Sequence, residues 1–167
     1  SDDVVARFLG AHSVACDLVD HYRGAQAKYD YALEERWVRE EGYLKIVPRA
    51  VAALLSQNGI DAATVTHFCM HGTLSRIGAA VAKRCGLGES TVRDNLAAVC
   101  GDTGVAHPLL MLAAALEDAK PGDRILLTAF GEGCDALLFE VTPAIANASE
   151  RRGVKGALAA RREDSNY

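Results

Sequence analysis

The sequence lacks several features that would assign it to a common functional class. Its 18 Lys and Arg are outnumbered by 22 Asp and Glu, which leaves a formal net charge of -4. Proteins that neutralise nucleic-acid phosphates usually carry a basic surplus, so this balance argues against broad nucleic-acid binding. No apolar run is long enough to cross a bilayer, and no signal peptide opens the chain. We therefore expect a cytoplasmic protein without a membrane span.

Paired cysteines are also lacking. The five cysteines, at positions 16, 69, 85, 100 and 134, are odd in number and show no short paired spacing. Zinc ligands and redox dithiols usually occur as such pairs, so no metal site is expected. The sequence predicts reduced, buried thiols.

The hydrophobic pattern predicts an α/β domain. The chain has 167 residues, of which 50% are hydrophobic and 24% charged, enough for one sizeable core. Alternation of strand and helix patterns favours a mixed sheet with helices on both faces. The polar stretch 17–41 is interpreted as a long excursion outside the core. Strands are predicted over 4–16, 65–70, 125–130 and 136–141, and helices over 37–57, 74–85 and 109–116.

One stretch has the pattern of a ligand-binding corner. Gly101–Gly104 precedes the run 109–116, which is apolar on every side and predicts a helix buried all round. Free N–H groups at a helix start attract negative charge, so we expect chemistry here. Asp102 is a good N-cap residue, and His107 is interpreted as a packing residue.

Three segments carry a family resemblance. His71–Ile77, at the end of a predicted strand, is similar to the catalytic histidine segment of type III ketoacyl synthases and hydroxymethylglutaryl-CoA synthases. Gly101–Gly104 resembles their Gly-Asn-Thr segment, and Lys120–Gly133 resembles their closing hairpin. The segments occur in the family's order, and the resemblance extends to about residue 142.

The resemblance implies the C-terminal half of a thiolase-like fold, over residues 1–142. We expect residues 143–167 to be an exposed helix or polar arm that packs on something absent from this chain, to be disordered, or to begin a further segment. In the family a cysteine of the N-terminal half takes the acyl group, and no cysteine here matches that setting. The missing half is thus a segment or a separate chain, in a homodimer or hetero-oligomer. The substrate implied is an acyl-coenzyme A or acyl-carrier-protein thioester, with no bound cofactor.

The resemblance also names a candidate site. His71 takes the role of proton donor or acid/base. Asp102 replaces the family's asparagine, and an ionised aspartate accepts hydrogen bonds but donates none. It could be buried and protonated, act as a base, hold His71 in one tautomer, or simply cap the helix. The residues expected beside the oxyanion or substrate are Gly101, Thr103, Gly104, Gly131, Glu132 and Gly133.

Two functional hypotheses follow. In the first, the chain is part of an acyltransferase that makes or breaks a carbon–carbon bond beside a thioester. In the second, it is a degenerate, non-catalytic half that pairs with an active chain. His71 favours the first. Asp102, the missing nucleophile and Glu132 favour the second. Glu132 would narrow the site or repel anionic substrates; the alternative is that it is simply an exposed hairpin residue.

Overall fold

A computed structural model describes residues 4–148 and 152–162. They form a mixed four-stranded sheet with helices on both faces, which confirms the predicted fold class. The strands are β1 Ala6–Ala15, β2 His21–Tyr22, β3 Tyr31–Ala32, β4 His67–Met70, β5 Arg124–Gly131 and β6 Gly133–Val141. The helices are α1 Glu35–Trp37, α2 Leu44–Asn58, α3 Ile77–Arg84, α4 Ala97–Cys100, α5 His107–Asp118 and α6 Gly153–Ala159.

The sheet order is β1-β6-β5-β4, and β2 and β3 form a separate hairpin in the polar excursion. β6 is antiparallel to both neighbours, whereas β4 runs parallel to β5. Ile125, Leu126 and Leu127 of β5 are buried on both faces of the sheet. A continuous apolar run is the expected sequence of such a central strand.

Helix α2 covers one face of the sheet. Val47, Val51 and Leu54, spaced at helical intervals, are buried against β1 and β6. The sequence left open whether Pro48 kinks the helix or lies near its start. The helix begins at Leu44, directly after a π-helical turn, and continues through Pro48.

Helix α5 covers the opposite face, but only its sheet-facing side is buried. Met111 and Ala115 pack in a cluster with residues of β4 and β5. Leu109 remains 62% exposed, and Val105, just before the helix, is fully exposed. The predicted burial on every side is thus not met within the described residues, because they cover only one side of the helix.

The C-terminal segment matches its expectation in part, because α6 is a largely exposed helix. Within residues 152–162, α6 packs on this chain's own α5 rather than on something absent. The Glu117 carboxylate accepts the backbone N–H of Val154 and, at 3.2 Å, that of Lys155. The Lys155 ammonium pairs with Asp118. The acidic end of α5 therefore supplies acceptors for the first N–H groups of α6, while the rest of the expected arm lies outside the described residues.

The domain boundary at residue 142 stays a prediction.

Across residues 4–148 and 152–162, no helix combines the length and apolar character needed to cross a membrane.

Candidate active site

An open cleft of about 1200 Å³ lies where β4 and β5 end. β4 and β5 are parallel, so the residues that follow them meet at one edge of the sheet. Gly101 and Thr103 are not among the lining residues, although both were predicted site residues. The predicted site residues that line the cleft are His71, Asp102, Gly104, Gly131, Glu132 and Gly133.

His71 directly follows β4 and is largely buried. Its Nε2 lies 3.2 Å from Oδ1 of Asp102, and 16% of the His71 side chain is exposed. An ionised carboxylate only accepts hydrogen bonds, so Nε2 carries the proton in this contact. Nδ1 is buried without a hydrogen-bond partner among the described residues. The proton-bearing nitrogen is therefore the one directed at Asp102.

Asp102 is held by the turn that carries it. Its Oδ1 accepts the Gly104 N–H at 2.7 Å, and Gly104 has a φ of 60°, a conformation that glycine adopts without strain. The Gly104 N–H, and secondarily His71, hold the pKa of this carboxyl below its usual range, although partial burial opposes the shift. Asp102 is thus ionised at neutral pH.

This geometry narrows the alternatives for Asp102. A depressed pKa disfavours a protonated acid, whereas the contact with Nε2 supports a role in holding the His71 tautomer. The N-cap interpretation is wrong for α5. The residue preceding that helix is Ala106, and the Asp102 side chain caps Gly104 inside the turn instead.

His107 is the residue that sequence reasoning underestimated. It is fully buried, as a packing residue would be, but its ring packs on His71 with centroids 3.9 Å apart. Its Nδ1 accepts the Thr103 N–H at 3.2 Å, and its Nε2 lies 2.5 Å from the Asn95 carbonyl oxygen. No local signal could have found this contact, since it depends on how α5 meets β4.

Three side chains at the cleft could in principle bind a metal ion: His71, Asp102 and His107. One nitrogen or oxygen atom from each lies within 4.8 Å of the other two. Both ring nitrogens of His107 are already engaged, by Thr103 and by Asn95. Only two side chains then remain for a metal, fewer than the three protein ligands that catalytic zinc sites use. The arrangement fits proton transfer better than metal binding.

The hairpin between β5 and β6 forms another wall. A Cβ atom at Gly133 would lie 2.0 Å from the Val14 carbonyl oxygen, so only glycine fits there. Glu132 is exposed at the tip, as one of its two interpretations predicted, and it also lines the cleft. Phe130, two residues before Glu132, packs its ring against that of Tyr43, with the ring centroids 4.1 Å apart.

Tyr43 is a lining residue that the sequence did not reveal. It belongs to the apolar helical pattern and is 4% exposed, so its position resembles an ordinary core site. Burial raises the pKa of the phenol, partly offset by hydrogen bonding to Thr73. Its hydroxyl is therefore neutral and lies next to the segment that carries His71.

The charged residues that line the cleft are all acidic in the described part of the chain. No lysine or arginine is among them, and the histidines are His21 and His71. Such a lining disfavours an anionic group in the cleft. The acids are Asp20, Asp30, Glu35, Asp102, Glu132 and Asp135.

The cysteines offer no activated nucleophile at the cleft. Of the five, only Cys134 lines it, and burial raises the pKa of that thiol to about 12. Burial likewise raises the pKa of Cys69 and Cys85 to about 12. A thiol with so high a pKa is a poor nucleophile, because the thiolate is the reactive form.

Known proteins match this chain along most of its length. The family described as 3-oxoacyl-[acyl-carrier-protein] synthase III C terminal matches residues 55–140. Hydroxymethylglutaryl-CoA synthase of Methanococcoides burtonii is 34% identical over 66% of this chain and 32% of its own length. That of Aeropyrum pernix is 30% identical over 89% of this chain and 42% of its own.

The fold is similar to that of solved condensing enzymes. The 3-oxoacyl-[acyl-carrier-protein] synthase III of Aquifex aeolicus superimposes with a TM-score of 0.69 at 20% identity, covering 82% of this chain and 45% of that one. This chain thus spans less than half the length of these relatives. The family match covers more than half of the chain, and with it the chain belongs to the thiolase superfamily of condensing enzymes, as a C-terminal half of the 3-oxoacyl-[acyl-carrier-protein] synthase III type.

Proposed function

We propose that this chain is the C-terminal half of a thiolase-fold acyltransferase that makes or breaks a carbon–carbon bond next to an acyl thioester. The observation that carries the proposal is the contact between His71 Nε2 and Asp102 over the cleft, in a chain of this family. The reaction resembles that of hydroxymethylglutaryl-CoA synthase or of ketoacyl synthase III. The nucleophilic cysteine comes from the N-terminal half, as a missing segment or a separate chain.

His71 is the catalytic residue in this proposal. When the new bond forms, negative charge develops on a carbonyl oxygen. The Nε2–H of His71, which faces Asp102, donates a hydrogen bond to that oxygen and stays on the ring, because loss of this proton would leave an imidazolate. Preorganised donors of this kind typically contribute about 3–4 kcal/mol each. Asp102 acts on His71 rather than on the oxyanion, because an ionised carboxylate cannot donate.

The acyl carrier is a coenzyme A or acyl-carrier-protein thioester. Both carriers present phosphates, and a basic concavity of about 510 Å³ lies beside the segment that follows His71. Arg39, Arg76 and Lys83 line it, with Glu89 as its acidic residue. The cleft itself is acidic, so the carrier's phosphates fit the concavity and the acyl chain fits the cleft.

The N-terminal half is the proposed partner for the exposed side of α5. Leu109 and Val105 are exposed there, although they belong to a strongly apolar stretch. This chain matches less than half the length of its relatives, and the remainder of such a relative supplies the second half that could cover them. The site is completed only when that half is present.

The test uses the full-length or fully assembled protein and an acyl-CoA thioester. We expect intact mass spectrometry to detect an acyl-cysteine outside residues 1–167, and His71→Ala to lower the condensation rate by about 10²–10⁴-fold. An unchanged melting temperature serves as the folding control. Condensation at the wild-type rate in His71→Ala contradicts the proposal.

A non-catalytic half is the second candidate, and the ionised Asp102 favours it. The family's asparagine donates a hydrogen bond at this position, and the carboxylate cannot. In that case the assembled protein forms no acyl-cysteine, yet a separate condensing chain loses activity when this chain is removed. The same acylation measurement therefore distinguishes the two candidates.

A further inference from the structure

We infer that His107 is a positioning residue that holds the imidazole of His71 against Asp102. The inference rests on the proposed function, because it assigns His107 to the same site. His107 is the first residue of α5, and the apolar sequence of that helix gives no sign that this histidine has a role in the site.

His107 joins the three segments that build the site. Its Nε2 donates to the Asn95 carbonyl at 2.5 Å, and the Asn95 side chain donates to the Gly72 carbonyl at 3.2 Å. Its Nδ1 accepts the N–H of Thr103, the residue after Asp102. The chain of contacts thus runs from the segment after β4, through residue 95, to the turn that carries Asp102. The contact between His71 and Asp102 links the two ends of this chain of contacts.

The hydrogen bonds specify one form of the His107 ring. Nδ1 faces a backbone N–H and must be the acceptor, whereas Nε2 faces a carbonyl and must carry the proton. Both conditions are met only by the neutral Nε2–H tautomer. Any rotation of the ring would break both bonds in a fully buried position, so the orientation of the ring is fixed.

That fixed plane restrains His71. The two rings pack at a centroid distance of 3.9 Å with an interplanar angle of 31°. His71 has few other restraints, since its Nδ1 has no hydrogen-bond partner among the described residues and Asp102 is 49% exposed. Without the ring of His107, the imidazole could rotate away from Asp102.

Simple core packing explains these contacts less well. An apolar side chain could fill the same volume without two buried nitrogens that each need a partner. His107 instead has a specific partner at each nitrogen and a catalytic candidate on its face. These features indicate an oriented ring.

The kinetic test compares substitutions at position 107 in the full-length protein. His107→Phe keeps an aromatic ring but loses both hydrogen bonds, and we expect kcat to fall about 10–100-fold with KM changed by less than about threefold. His107→Gln retains an amide that can donate to the Asn95 carbonyl, so its kcat should lie between those of wild type and His107→Phe.

His67→Phe is the matched control, because His67 is also largely buried beside a carboxylate, Asp123, but lies outside the cleft. Its kcat should equal that of wild type.

A spectroscopic test does not depend on activity. Imidazole ¹⁵N spectra of the full-length wild-type protein should place the His107 proton on Nε2 and give a His71 Nε2–H signal that His107→Phe broadens or removes. A proton on Nδ1 of His107, or a His71 signal unchanged by the substitution together with wild-type kcat, overturns the inference. If wild type shows no condensation, the proposed function fails while the spectra still decide the role of His107. If His107→Phe does not fold, the His107→Gln kinetics and the wild-type spectrum decide it.

Discussion

A single side chain, Asp102, separates this site from the segment that it resembles. The segment Gly101–Gly104 resembles the family's Gly-Asn-Thr segment, but a carboxylate stands where an amide is expected. The structure gives this carboxylate two donors, the Gly104 N–H and His71 Nε2. We therefore propose that Asp102 is an acceptor that orients His71.

Substitution of Asp102 by asparagine tests this role. Asp102→Asn keeps the size of the side chain but removes its charge, so the tautomer and orientation of His71 are less strongly held. We expect kcat of the full-length protein to fall about tenfold or more, within the range typical of acid–base groups. A rise in kcat would instead mean that a donor is needed at this position, and that the carboxylate marks a degenerate site.

At the scale of elements, α6 is attached to α5 by charged groups. Lys155 and Arg93 both contact Asp118, and together they hold the pKa of that carboxyl below its usual range. Because the folded-state pKa is lowered, this stabilisation is complete above the unfolded-state pKa and is lost as the pH falls through the folded-state value. The docking of α6 should therefore weaken only in acid.

Hydrogen exchange can measure that docking. We expect faster amide exchange in α6 when the pH is lowered below about 4, after correction for the intrinsic rate. Asp118→Asn should give the faster exchange already at neutral pH. Glu35→Gln, a change to an exposed acid on α1, is the control and should leave α6 unaffected. Equal protection of α6 in Asp118→Asn and wild type would contradict the electrostatic account.

The two sides of α5 should respond differently to truncation. Met111 is 1% exposed and lies against the sheet, so Met111→Ala should lower the free energy of unfolding by about 2–5 kcal/mol. Leu109 is on the open side, and Leu109→Ala in this chain alone should change it by less than about 0.5 kcal/mol. Urea denaturation of the two variants measures the difference. Similar losses would mean that the open side is covered within the chain.

At the scale of the whole molecule, two surfaces of this chain are exposed: the open side of α5 and the open cleft. Both would be covered by the half that the longer relatives possess. In the assembled full-length protein we expect amides around Val105 and Leu109 to be protected from exchange. Leu109→Asp should remove this protection and lower the melting temperature, because it places a charge in an apolar contact. Unchanged protection would contradict packing of the second half on α5.

Local patterns in the sequence determined much of this protein. Alternation of strand and helix periods predicted the mixed sheet, and the position of His71 after a buried strand placed it at the sheet edge. These inferences succeed because burial on one or both faces imposes a period on neighbouring residues. The strands of the β5–β6 hairpin were predicted over 125–130 and 136–141, although β6 begins earlier, at Gly133.

Only the tertiary structure decided which distant side chains meet. His107 and Tyr43 both looked like core residues, because a sequence pattern shows that a side chain is buried but not what it is buried against. The pairing of His71 with His107 depends on how α5 crosses the end of β4, and the docking of α6 depends on two acids at the far end of α5. Periodicity is a local property of the chain, whereas these contacts depend on packing between elements far apart in sequence.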